Sequence, residues 1–187
     1  MVFLLSIPLL ISPAAAWNLQ THQNIAAKVY YSLPSSVQHN LNLNEMKKGS
    51  IYPDVSRTDF YTNINPSRDN TAQTWLNKAK SAYKSKNYKL ASYYFGIASH
   101  YISDTFSAPH CVQKEASALH TAYEKQANNM KPSISYRSGN IETLLHNGFL
   151  QGQKDWNSWV ATKSKSIPQK DLNNAGSAAY RLIRSCF

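Results

Sequence analysis

His100 and Asp104 stand four residues apart, and so do His120 and Glu124, with His110 between the two pairs. On a helix, positions i and i+4 project from one face a turn apart, so each pair can reach a single cation. Imidazole nitrogen and carboxylate oxygen are the ligands expected of a hydrolytic zinc. Two such pairs with a third histidine between them can serve two ions that share a wall. Any one of these residues alone reads as an ordinary hydrogen-bonded histidine or carboxylate; the array argues for metal. A second group lies near the start of the chain, where Trp17 directly follows Ala14, Ala15 and Ala16 and precedes His22. Cleavage after Ala16 exposes the α-amino group of Trp17, and such a group beside His22 begins another metal site. His39 and His146 fall outside the array and read as ordinary surface or core residues.

These residues need helices to hold them. Apolar spacing predicts helices over 21–33, 37–43, 71–83, 88–106, 116–130, 140–150, 156–164 and 170–184. Within 88–106, Ala91, Tyr94, Phe95, Ala98 and Ile102 share one face, and Pro109 lies beyond the end. Tyr94, Phe95 and Tyr101 read as core. Residues 45–70, with Gly49, Pro53 and Pro66, read as irregular; Lys86 and Asn87 mark a turn, and 132–138 breaks the pattern. No run alternates with period two. The fold class is all-α, a single compact multi-helix domain over residues 17–187. Residues 1–16 carry no charge, hold an apolar stretch too short to span a bilayer and end on small residues, which predicts a cleaved signal peptide and a secreted protein.

The formal charge is +10, and the chain has only ten acidic residues. If several of those ligate metal, the outer surface is strongly basic and attracts phospholipid headgroups, nucleic acid or an acidic envelope. A basic pI tuned for solubility accounts for the same charge. The two cysteines, Cys111 and Cys186, fit a secreted chain with one disulfide or two buried thiols.

The Trp-x4-His start, the array His-x3-Asp-x5-His followed by His-x3-Glu, and the run KSKNYKLASYYFGIASHYISDTFSAPH together resemble the zinc-dependent phospholipase C family. That family includes bacterial phosphatidylcholine-cleaving enzymes and clostridial α-toxins. The resemblance covers residues 17–125 with gaps. Secreted zinc single-strand nucleases share the fold and the start, but their last carboxylate is typically Asp, so Glu124 favours the lipase branch.

The resemblance implies up to three zinc ions. One would be held by the α-amino and carbonyl groups of Trp17, by His22 and by a bridging Asp104. A second would take Asp54, His100 and Asp104 with one further residue. The third would take His110, His120 and Glu124. An α-amino pKa near 8 makes that group accessible as a ligand. The chain departs from the family at the further residue, where a histidine in a segment like HFYDP is replaced by DFYTN, residues 59–63. Asp59 is the substitute, with Asp69 as the second candidate. Asp54 would act as general base or water orienter.

The implied activity is phosphodiester hydrolysis that releases diacylglycerol and a phosphorylated headgroup from phospholipid. The larger toxins add a C-terminal membrane-binding domain, which is not expected here. Contact with an anionic or zwitterionic membrane would then fall to the basic surface and to Trp156 and Trp159, which otherwise read as core. A nuclease or other phosphodiesterase on the same scaffold is the alternative, as is a non-catalytic, metal-stabilised domain that binds anionic surfaces. A monomer is expected.

Overall fold

A computed structural model describes residues 17–56, 67–113 and 115–187, with the side chains of 67–69 left out. Among the described residues there are eight α-helices and no strand. Asn18 opens α1 (Leu19–Ser32) by accepting a hydrogen bond from the Thr21 amide at 2.8 Å. One face of α1 buries His22, Ile25, Ala26 and Val29. Pro34 leads into the short α2 (Ser35–Asn40). Then follow α3 (Leu43–Val55), α4 (Ser67–Lys84) and α5 (Tyr88–Asp104). The turn between α4 and α5 places Lys86 at φ 60°, as the Lys86–Asn87 signal predicts.

The centre of the molecule is α5, which buries every residue from Phe95 to Asp104. A helix buried on all sides must be covered on all sides, and here α1, α3, α4 and α8 provide the cover. Beyond α5 come a 3-10 turn (Ala108–Cys111), α6 (Ser117–Ala127), α7 (Ile141–Thr162) and α8 (Ser166–Arg184). The helix containing His100 ends at Asp104, two residues before its expected end, and His110 stands on the 3-10 turn.

Residues 45–55, expected to be irregular, lie in α3. Asn42 caps this helix by accepting from the Glu45 amide at 3.1 Å, an N-cap signal with a glutamate at the third position. Pro53 lies inside the helix, close to its end. Packing overrides the weak local propensity. At Gly49 an added Cβ would lie 2.0 Å from the Tyr93 carbonyl oxygen, and at Gly96 one would lie 2.1 Å from the Met46 carbonyl oxygen. The backbones of α3 and α5 therefore meet with no side chain between them, and this contact brings Ser50 and Asp54 against His100. Gly96→Ala is expected to lower stability by roughly 1–3 kcal/mol, because overpacking against backbone cannot relax cheaply. A thermal melt checks it; an unchanged Tm would show the two helices free to separate.

The segments expected at 140–150 and 156–164 are one helix, α7, capped by Asn140. Its polar residues from 151 to 155 interrupt the apolar pattern without breaking the backbone. Trp156 and Trp159 are core: their rings stack at 5.4 Å, and the residues are 7% and 0% exposed. They offer no surface to a membrane. Cys111 and Cys186 form no disulfide. The Cys111 thiol lies 3.4 Å from the Thr105 and Ser107 carbonyl oxygens, either of which can accept from it.

Candidate metal centre

Four helices bring the first cluster together: α1 supplies His22, α3 supplies Asp54, and α5 supplies His100 and Asp104 with its packing fixed by α8. His22 Nε2 lies 3.4 Å from Asp104 Oδ1 and 3.7 Å from Asp54 Oδ2. His100 Nε2 lies 3.2 Å from Asp104 Oδ2 and 3.8 Å from Asp54 Oδ1. The two imidazole rings stack with centroids 4.0 Å apart. His22, His100 and Asp104 are buried, while Asp54, at 8% side-chain exposure, sits at the rim.

The opposite edge of each ring is tied down. His100 Nδ1 lies 2.9 Å from the Ser50 carbonyl, which can only accept, so Nδ1 carries a proton and the neutral ring turns its Nε2 lone pair to the cluster. The Ser103 hydroxyl donates to the His100 carbonyl at 2.9 Å and is left to accept from His22 Nδ1 at 3.2 Å. His22 Nε2 therefore also presents a lone pair. Two lone pairs thus converge on two carboxylates inside the protein. Neither Nε2 nor Asp54 Oδ2 has a hydrogen-bond partner among the described residues. Acceptors facing acceptors in a buried site need a metal ion or a proton between them.

The second cluster is His110, His120 and Glu124. His110 Nε2 and His120 Nε2 lie 3.2 Å apart, and His120 Nε2 is 2.8 Å from Glu124 Oε1. The other His120 nitrogen, Nδ1, faces Glu115 Oε1 at 2.9 Å. A carboxylate behind a ligating imidazole fixes its tautomer and raises its basicity. The chemistry of both donor sets, imidazole nitrogen with carboxylate oxygen, fits zinc. Both triads can hold an ion, with ligand atoms within 4.8 Å of one another.

Without metal, protons must settle the same conflict. Burial, aided by the charge of His100, pushes His22 down to about 3. Burial also disfavours the charged form of His100, but Asp104 and Asp54 outweigh it and raise that ring to about 9. Burial pushes Asp54 up to about 6 and Glu124 up to about 7, and the Asp104 and Asp54 charges add to the rise at Glu124. The two clusters therefore share one electrostatic field. On α8, burial and neighbouring Asp155 push Asp171 up to about 8.

These shifts have a signed consequence. Each raised group holds a proton in the folded chain that the unfolded chain has already released, so its contribution is lost as pH rises through the folded pKa. Buried His22 acts in the opposite sense, but only below the ordinary histidine pKa of about 6.5. Between pH 6.5 and 9 the terms from Glu124, Asp171 and His100 all fall. The Tm of chelator-treated protein is therefore expected to drop across that window, and zinc is expected to narrow the drop. A Tm that rises from pH 6.5 to 9 without metal would contradict this electrostatic picture.

Trp17 is fully buried, packs against Tyr123 at 5.7 Å, and donates its indole N–H to the Ser103 carbonyl at 3.1 Å. The ring is thereby anchored beside Asp104. Residues 1–16 and Asp59 lie outside the described residues, as does the side chain of Asp69. His39 and His146 are exposed and apart from both clusters, while Phe95 and Tyr101 are core. Three groups went unanticipated. Glu115 precedes α6 with no periodic signal, and the Ser50 carbonyl and Ser103 hydroxyl act from residue types that carry no metal signature.

The fold and the paired clusters define a helical protein with two candidate metal sites. A family described as zinc dependent phospholipase C matches residues 21–173, most of the chain, and the protein belongs to that family. Among curated proteins it is similar to phospholipase C of Clostridium perfringens. One such sequence is 29% identical over 159 residues, covering 67% of this chain and 40% of the relative. Another is 26% identical over 174 residues, covering 74% and 44%. The chain thus spans about two fifths of the length of the curated relatives it matches. In fold it is similar to a crystal structure of Clostridium perfringens alpha-toxin from an avian strain, with a TM-score of 0.66 at 15% identity, over 92% of this chain and 64% of that one.

Proposed function

We propose that this protein is a secreted zinc-dependent phosphodiester hydrolase acting as a phospholipase C, releasing diacylglycerol and a phosphorylated headgroup. The observation that carries the proposal is the buried convergence of His22, His100, Asp104 and Asp54, whose lone pairs face one another. His22 and His100 would hold one side of the centre and Asp104 would bridge. His110, His120 and Glu124 would hold the adjoining ion. The Trp17 α-amino group and Asp59 would complete the set once residues 1–16 are removed. Zinc in these sites supplies positive charge against the phosphate oxygens and acidifies water.

The chain's own groups do the rest. Ser50, Ser103 and Glu115 hold the imidazoles in one tautomer, so the site needs no reorganisation when substrate arrives. Asp54, at the rim and pushed up to about 6 by burial, is the carboxylate best placed to orient a water or accept its proton. The formal charge of +10 draws the chain to anionic surfaces, and the substrate is presented there or at a zwitterionic one. No described helix is long and apolar enough to cross a membrane.

The zinc-loaded chain beginning at Trp17 should be assayed on phosphatidylcholine, single-stranded DNA and a chromogenic phosphodiester. The proposal expects phosphatidylcholine to be the preferred substrate. Faster cleavage of DNA would make the protein a nuclease on this scaffold. Metal binding with activity on none would make it a metal-stabilised binding domain.

A further inference from the structure

Two cavities flank Arg137, and neither is lined by a metal-ligand candidate. One, of about 340 Å³, is lined by Arg137, Lys170 and the amides of Asn147, Gln151 and Asn174. The other, of about 290 Å³, is lined by Arg137, Arg181, Arg184, Tyr136 and Tyr180. Of the chain's arginines, Arg57, Arg68, Arg137, Arg181 and Arg184, the last three meet here.

The charge is poorly compensated. Lys170 is paired with Asp155 at 2.5 Å, and Gln151 also donates to that carboxylate at 3.2 Å. None of the three arginines has a carboxylate within salt-bridge distance among the described residues. Arg137 is half-buried on the non-helical segment 131–139. Its Nη2 donates to Asn174 Oδ1, and its buried Nε has no partner among the described residues. Arg184 lies over the Tyr180 ring and donates to its hydroxyl at 2.9 Å, which leaves the rest of its guanidinium open. Arg181 and Arg184 stand in the last turn of α8, where cations complement the helix dipole. That accounts for the α8 pair and not for Arg137, which comes from another segment and is partly desolvated without a counter-ion.

We propose that the two cavities form one phosphate-binding groove centred on Arg137, separate from the metal centre, which takes the phosphate of a phosphoester ligand. The planar Arg137 guanidinium lines both cavities and carries several N–H donors in a fixed fork, a geometry that suits phosphate oxygens better than a lysine's point charge. Arg181 and Arg184 extend the positive field along the groove, and Tyr136, 82% exposed at its edge, offers an amphipathic ring to a lipid surface. The phosphate belongs either to an anionic lipid headgroup or to a free phosphorylated small molecule.

Titration of the full zinc-loaded chain with glycerol phosphate tests the groove. The wild type is expected to retain a binding event after zinc is chelated. Arg137→Gln is expected to weaken that event about tenfold or more, and Arg181→Gln to weaken it in the same direction, while Lys28→Gln, an exposed charge on α1, leaves it unchanged. Arg181, on α8 and apart from the segment that holds Arg137, carries the test if Arg137→Gln does not fold. Sedimentation with phosphatidylcholine vesicles containing phosphatidic acid separates the sources. The same ranking of variants on vesicles assigns a lipid headgroup, and a ranking seen only with glycerol phosphate assigns a free ligand. The proposal is overturned if no chelator-resistant event exists, if both arginine variants bind as the wild type does, or if Lys28→Gln weakens binding as much as Arg137→Gln.

Discussion

Asp104→Asn is expected to remove at least one bound metal ion and to lower phosphodiesterase activity by at least about 100-fold. The upper end of what an outer-shell partner of a metal ligand contributes is of that order, and Asp104 stands inside that shell. Its two oxygens face His22 Nε2 at 3.4 Å and His100 Nε2 at 3.2 Å, so one residue serves both sides of the first cluster. The amide keeps the shape and removes the charge. It also replaces one acceptor with an N–H donor, which cannot ligate. His22→Ala removes a ligand from one side only and is expected to cost less. Metal content and rate measured side by side for the two variants check the ranking. Equal metal content in the wild type and Asp104→Asn would contradict the bridging role.

The second large effect concerns the start of the mature chain. Protein that keeps residues 1–16, or carries an extra Met before Trp17, is expected to bind one zinc fewer and to lose most of its activity. An α-amino group has a pKa near 8 and can be deprotonated at the cost of little more than a unit of pH. A peptide nitrogen in the same place offers no such lone pair. The Trp17 indole is anchored to the Ser103 carbonyl at 3.1 Å, so Trp17 is held beside Asp104. Metal analysis of the extended and trimmed proteins separates them. Full metal content in the extended form would take Trp17 out of the ligand set.

The helical pairs were legible because an i, i+4 spacing survives any choice of neighbours. His100 with Asp104 and His120 with Glu124 could be paired on paper, and the structure brings the ligand atoms of each pair within 4.8 Å of one another. Asp54 was legible only through family resemblance. Its helix, α3, looks irregular in sequence because Gly49 and Pro53 are poor helix formers. The reason for Gly49 lies in a backbone contact with α5, which no local pattern encodes. Glu115 and the Ser50 carbonyl were invisible for a related cause. They act by position alone, one from the approach to α6 and one from the backbone of α3. The single helix α7 was read as two because its polar stretch from 151 to 155 resembles a loop in composition. The tryptophans beyond that stretch belong to the core.

Zinc bound among the buried imidazoles and carboxylates is what the proposed activity needs first. The most direct measurement is the metal content of the chain beginning at Trp17 after equilibration with buffered zinc and exhaustive dialysis. Two or three zinc ions per chain is the expected result. A chain that keeps its helical fold with none would mean that protons, and not metal, resolve the facing acceptors of His22, His100, Asp54 and Asp104.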